Sequence, residues 1–131
     1  MTRTPASLVP DPVAAHNRRL GRRGELLAER HLRHLGMVVL DRNWRCDAGE
    51  IDLVLRDGPV LVICEVKTRS SSDYGAPLEA VDQRKAERLR RLGARWLRSH
   101  TCHPEDVRVD LVGVLAPPGR PVQIEHVAGV G

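Results

Sequence analysis

The sequence predicts a mixed α/β domain in which one central sheet is flanked by helices, with elements in the order αβββαββ. Three observations carry this. Two long segments, one starting near Arg18 and the other near Leu78, repeat apolar residues every three or four positions. Between them and after the second, short β-branched runs are bounded by turn residues. The length, 131 residues, suffices for one domain with a real core and is too short for two comfortable ones.

In chain order, Leu20, Leu27, Ala28, Leu32 and Leu35 trace a helical stripe, and Gly36 supplies a natural stop. The first helix is therefore placed over about residues 17–35. Residues 1–16 lack the apolar centre of a secretory signal, and Pro5, Pro10 and Pro12 count against a helix, so this stretch reads as a loose tail before a single domain over 17–128. MVVL is a short strand and DRNWRCDAG a polar connection; EIDLVLR and VLVICEVKT are strands on either side of Asp57-Gly58. The loop TRSSSDYGAP, whose serine run Ser70 to Ser72 marks a mobile segment, leads into LEAVDQRKAERLRRLGARWLRSH. There Leu78, Val81, Leu89, Leu92 and Trp96 form the apolar face of a second helix. VRVDLVGVLA and PVQIEHV are the last two strands, separated by APPGR.

An apolar fraction of 41% beside 29% charged residues excludes a disordered chain, and no apolar run is long enough to span a bilayer, so no membrane partner is expected. Cys46, Cys64 and Cys102 are odd in number and widely spaced, which suggests neither a disulfide framework nor a CxxC site; the expected compartment is the cytoplasm. The formal charge is +4, and all but two of the 21 basic residues are arginine, whose planar fork suits phosphate. Arginine enrichment also follows from genomic base composition, so position decides its meaning.

The stretch GEIDLVLRDGPVLVICEVK carries the chemistry. With Asp57-Gly58 as a two-residue turn, paired positions sum to 115, which sets Asp52 against Ile63 and Glu50 against Glu65. Period-two alternation then gathers Glu50, Asp52 and Val54 with Leu61, Ile63, Glu65 and Lys67 on one face. Ile51, Leu53, Leu55, Val60, Val62, Cys64 and Val66 make the other face apolar and suited to the main core. Two carboxylates ~5 Å apart at an effective dielectric of ~20 repel by ~3 kcal/mol, so a cation or a proton is needed. Lys67 can compensate one charge; a hard divalent ion, Mg²⁺ or Mn²⁺, suits the oxygen-rich cluster. The plainer alternative is a solvated sheet face, against which Val54, Leu61 and Ile63 speak. Glu25 falls on the inner side of the first helix with Ala28 and Leu32, where it either pairs with an arginine or reaches a cation.

Basic residues form two groups. Arg84, Arg88, Arg91, Arg95 and Arg98 recur at four and three without acids interleaved, a guanidinium stripe fit for nucleic-acid phosphate or simply a solvated face. Arg18, Arg19, Arg22 and Arg23 precede Glu25, and Arg69 follows EVKT, where each could grip a backbone. With only Tyr74 and two tryptophans there is little platform for stacking single-stranded bases, so duplex or branched backbone is the better match. His31 and His34 lack a matching cysteine pair, and a zinc site is not expected. Asp110 reads either as a polar residue near the cleft or as the outward side of an edge strand.

Asp52 followed by Glu65, Val66 and Lys67 resembles the (D/E)xK pattern of the PD-(D/E)xK nuclease superfamily, which includes restriction enzymes and archaeal Holliday-junction resolvases; Ile51 stands where that name has proline. More closely, GRRGELLAERHLRHLG, GEIDLV, EVKTR, YGAPLEAV and QRK, in this order over about residues 18–112, resemble the YraN-like family of mostly uncharacterised bacterial proteins. The resemblance implies a restriction-endonuclease-like αβββαβ core, with Asp52, Glu65 and the Val66 carbonyl as metal ligands and Lys67 beside the attacking water. It adds Glu25 as a further ligand and Gln83 as a helix-borne residue facing the catalytic strands. Glu50 would be a ligand, a supporting partner, or the protonated half of a pair with Glu65. The implied activity is hydrolysis of DNA phosphodiesters, with a homodimer expected from the resolvase likeness. A non-catalytic nucleic-acid-binding module and a protein-interaction domain are the alternatives.

Overall fold

Residues 11–70 and 83–130 are described by the computed structural model. Helix α1 spans Pro12–His34, so it begins about five residues earlier than the apolar stripe suggests and takes in the end of the expected tail. Asp11 caps it, its side chain accepting from the amides of Val13 and Ala14 at 3.1 and 3.2 Å. Pro12 does not oppose the helix after all: it occupies the first helical position, where its missing N–H costs nothing and its fixed φ already fits. The helix ends as expected. Gly36 adopts φ 96°, its amide reaches Arg33 O at 2.9 Å, and the Met37 amide reaches Leu32 O at 3.2 Å, the paired bonds of a Schellman cap.

Five strands form one mixed sheet in chain order: β1 (Val38–Cys46), β2 (Gly49–Asp57), β3 (Val60–Arg69), β4 (Asp106–Leu115) and β5 (Gln123–Val127). All neighbours are antiparallel except β3 and β4, which are parallel; helix α2 (Gln83–Arg98) lies between them in the chain. β1 runs well past the expected MVVL, because DRNWRC continues the strand; as an edge strand it needs only some of its residues half-buried, and polar side chains fill the rest. Most of the expected loop TRSSSDYGAP, and the Leu78 and Val81 start of the second helix, fall on positions 71–82, outside the described residues.

The β2–β3 register differs from the expected one by two. Asp57 pairs with Val60 and Leu53 with Cys64, so the turn residues are Gly58 and Pro59. An Asp57-Gly58 turn would require the amide of residue 59 to close it, and proline has none. Gly58 instead takes φ 57° as first turn residue, with the proline following it. A shift of two changes partners without changing which β3 residues face which helix, and it aligns Asp52 with Glu65 while moving Glu50 outward.

Both faces of the sheet are covered, in place of a single apolar face forming the main core. Helix α1 packs Ala28 and Leu32 on Leu53, Leu55, Val62, Cys64, Val112 and Val114. Helix α2 packs Leu89, Leu92 and Trp96 on Val54, Leu61, Ile63, Val109 and Leu111. Ile51 belongs to this second cluster, not with Leu53 as period-two alternation predicts. The alternation breaks at Asp52. Opposite it on β1, Asn43 has φ 50°, and the ladder pairs Arg42 with Leu53 and Trp44 with Ile51 but has no rung between them.

Candidate active site

Backbone pairing of β2 with β3 stops at Leu53 and Cys64, so Asp52 and Glu65 are the first residues past the last rung. There a side chain takes over the ladder's role: Asp52 Oδ2 accepts the Val66 amide at 2.8 Å. Burial pushes the Asp52 carboxyl up, the Val66 amide partly offsets this, and the charges of Glu25, Glu65 and Glu50 add to it, leaving its pKa at about 6. Asp52 thus feels the charge of three other carboxylates at the open end of the hairpin.

Glu65, half-buried, is met from the α2 side of the sheet, where Lys85 Nζ lies 2.7 Å from Glu65 Oε2. That oxygen is buried, yet among the described residues no donor is aligned on it for a hydrogen bond, so the nearby ammonium compensates its charge. Helix α2 approaches the sheet closely because residue 93 is glycine: a Cβ there would stand 2.8 Å from Ile63 Cγ1. Lys67, two residues beyond Glu65, is exposed and makes no hydrogen bond or ion pair among the described residues. Gln83 is the first described residue of α2, and it is exposed.

Glu25 reaches the cluster from α1. Burial pushes its carboxyl up, a hydrogen bond from the Asn43 side chain offsets this, Glu50 raises it further and Arg22 lowers it. The helix sits close enough for this because residue 24 is glycine: a Cβ there would stand 1.8 Å from Thr68 Oγ1 on β3. Glu50 is not the partner of Glu65 that the expected register implies. It lies opposite Arg45 on β1 and pairs with it at 3.6 Å. Motif and periodicity do not reveal Asn43 or the Glu29–Arg42 ion pair near Glu25, and although QRK includes Lys85, they do not reveal its contact with Glu65. Lys85 does carry a signal, since it and Lys67 are the two lysines in an arginine-rich chain.

Among the described residues, no three Asp, Glu, His or Cys side chains come close enough to enclose a metal ion. The donors at hand are two carboxylates, Asp52 and Glu65, the latter with an unsatisfied buried oxygen. Such a set fits a hard cation of the Mg²⁺ kind, which commonly takes one or two protein carboxylates and completes its shell with water and phosphate.

The α2 arginines Arg84, Arg88, Arg91 and Arg98 are exposed. Arg88, Arg91, Arg95 and Arg98 line a groove of about 470 Å³ with Ala48 of the β1–β2 turn. The stripe is not free of acids, in contrast to expectation: Asp47, from that turn, pairs with Arg95. Arg22 lines a separate groove of about 210 Å³ with Glu25 and Asn43, and Arg23 beside it is exposed. Arg69 ends β3, where its carbonyl accepts the Ala116 amide at 2.8 Å.

Asp110 is neither at the cleft nor on an outward face. It is fully buried, accepts from Arg108 at 2.8 and 3.1 Å and from the Gly129 amide at 3.1 Å, and lies 2.9 Å from His126 Nε2. Trp96 is buried, its indole N–H donating to Asp41 at 2.9 Å and its ring stacked on His100. The three cysteines are free thiols. No helix among the described residues is long and apolar enough to cross a membrane.

A family model described as Uncharacterised protein family UPF0102 matches residues 24–114, from the buried glycine of α1 almost to the end of β4. A UPF0102 protein of Nocardioides sp. (strain ATCC BAA-499 / JS614) is 57% identical over 119 residues, covering 91% of this chain and 96% of the relative. One from Frankia alni is 58% identical over 110 residues, covering 84% and 92%. One from Streptomyces coelicolor is 57% identical over 114 residues, covering 85% and 87%.

Proposed function

The chain belongs to the UPF0102, or YraN-like, family within the PD-(D/E)xK nuclease-like superfamily, and from that premise we propose that it is a metal-dependent endonuclease hydrolysing phosphodiester bonds in double-stranded or branched DNA. The observation that supports this best is Asp52, a carboxyl with its pKa at about 6 because burial and three neighbouring acids oppose its charge. A site that concentrates negative charge in this way is relieved by a divalent cation. Asp52, Glu65 and the Val66 carbonyl would hold Mg²⁺ or Mn²⁺, with Glu25 in support. When bound, the ion supplies Lewis acidity toward a phosphodiester oxygen and a more acidic water.

In this reading the chain's own residues do the rest. Lys67, exposed and unpaired among the described residues, orients the attacking water or meets charge developing on the phosphate. The water oxygen bonds to phosphorus and gives up a proton to solvent, the bond to the leaving oxygen breaks, and that oxygen takes a proton from solvent. Gln83 stands at the start of the described part of the helix that flanks the site, and the arginines of α2 hold the backbone.

The test is incubation of linear and four-way-junction DNA with Mg²⁺ or Mn²⁺. Expected is cleavage that EDTA stops and that Asp52→Ala or Lys67→Ala abolishes while binding survives. Inactivity on every substrate with either metal would overturn the reading. The arginine-lined groove favours a second one, a non-catalytic nucleic-acid-binding module, which predicts steeply salt-dependent binding without hydrolysis.

A further inference from the structure

The chain keeps lysine at two positions only, and one of them, Lys85, touches the acid cluster from helix α2. We infer that Lys85 is the resident cation of this site: its ammonium holds the Glu65 carboxylate until a divalent cation displaces it, so that Lys85 is a positioning residue that sets metal affinity. The inference rests on the reading of Asp52 and Glu65 as ligands.

Geometry supports a placeholder over a permanent clamp. Lys85 Nζ is 2.7 Å from Glu65 Oε2, yet among the described residues no donor is aligned on that buried oxygen for a hydrogen bond, so the contact between the two is one of charge. Both side chains are partly open to solvent, 33% for Lys85 and 23% for Glu65, which leaves the ammonium a path to water when it is pushed away. An ammonium is a point charge on a flexible stem. A guanidinium would grip the carboxylate with two parallel bonds and resist displacement, which gives a reason for lysine here in a chain that otherwise uses arginine.

The experiment measures Mn²⁺ binding to the full chain without DNA, by the electron paramagnetic resonance of free Mn²⁺. Wild type, Lys85→Met, Lys85→Arg and Lys67→Met are compared. Lys85→Met is expected to bind about tenfold more tightly, equivalent to about 1.4 kcal/mol. Lys85→Arg is expected to bind more weakly than wild type, and Lys67→Met to gain less than Lys85→Met does. If Lys67→Met gains as much, the effect is one of general charge and the inference fails; it fails equally if Lys85→Met binds no more tightly than wild type. Should Lys85→Met not fold, Lys85→Arg decides: weaker binding supports the inference, and equal or tighter binding overturns it. Absence of Mn²⁺ binding in every folded protein overturns the metal reading itself and the inference with it, a result distinct from the others.

Discussion

Asp52 Oδ2 accepts the Val66 amide at 2.8 Å just past the last backbone rung of the β2–β3 hairpin, so one carboxylate both terminates the pairing and carries the raised pKa of the site. Raised from 3.8 to about 6, Asp52 contributes stability that is fully present below pH 4 and is lost as pH rises through about 6. The shift corresponds to at most about 3 kcal/mol. Asp52→Asn is therefore expected to be more stable than wild type by about 1–2 kcal/mol at pH 8 and equal to it at pH 3. Urea denaturation at the two pH values, without divalent metal, checks this.

Gly24 lets α1 lie against β3, and a Cβ there would meet Thr68 Oγ1 at 1.8 Å. Gly24→Ala should cost about 1–3 kcal/mol through overpacking. Adding Thr68→Ala should restore part of the loss, because the two residues share one contact. Thermal denaturation of the four members of this cycle measures the coupling.

Asp110 titrates in the opposite sense to Asp52. Burial pushes its carboxyl up, but hydrogen bonds from Arg108, His126 and Gly129 outweigh this and hold it below the usual range. Its contribution is present above about pH 3.9 and is lost as pH falls through its own lower value. Asp110→Asn should cost about 2–4 kcal/mol at pH 7, with the difference from wild type closing in strong acid. Equal stability of the two proteins at pH 7 would contradict the assignment.

Arg88 and Arg91 line the α2 groove and are exposed. Replacing either by alanine should leave folding stability within about 0.5 kcal/mol. Each should reduce the slope of log binding constant against log salt by about 1 on duplex DNA. Salt titrations by fluorescence anisotropy provide the measurement.

Much of this is legible before the fold. The arginine stripe, the end of α1 at Gly36 and the shared face of Val54, Leu61 and Ile63 all follow from local periodicity and backbone preference. That shared face tolerates a register offset of two because parity is unchanged by an even shift. The offset itself arises because Asp-Gly favours a hairpin turn that Pro59, lacking an amide proton, cannot close. Alternation sends Ile51 to the wrong side because it cannot foresee an irregularity opposite Asn43.

Except at Ile51, which residues share a strand face or a helix stripe is settled by the chain alone, since it depends on neighbours a few positions away. That Lys85 meets Glu65, that Asn43 meets Glu25 and that Glu50 turns to Arg45 emerges only on folding. The first two contacts depend on how near each helix can approach the sheet, which Gly24 and Gly93 set by leaving room where a Cβ would collide, and the third on the pairing of β1 with β2. The raised pKa of Asp52 is likewise a property of burial and of charges assembled from distant parts of the chain.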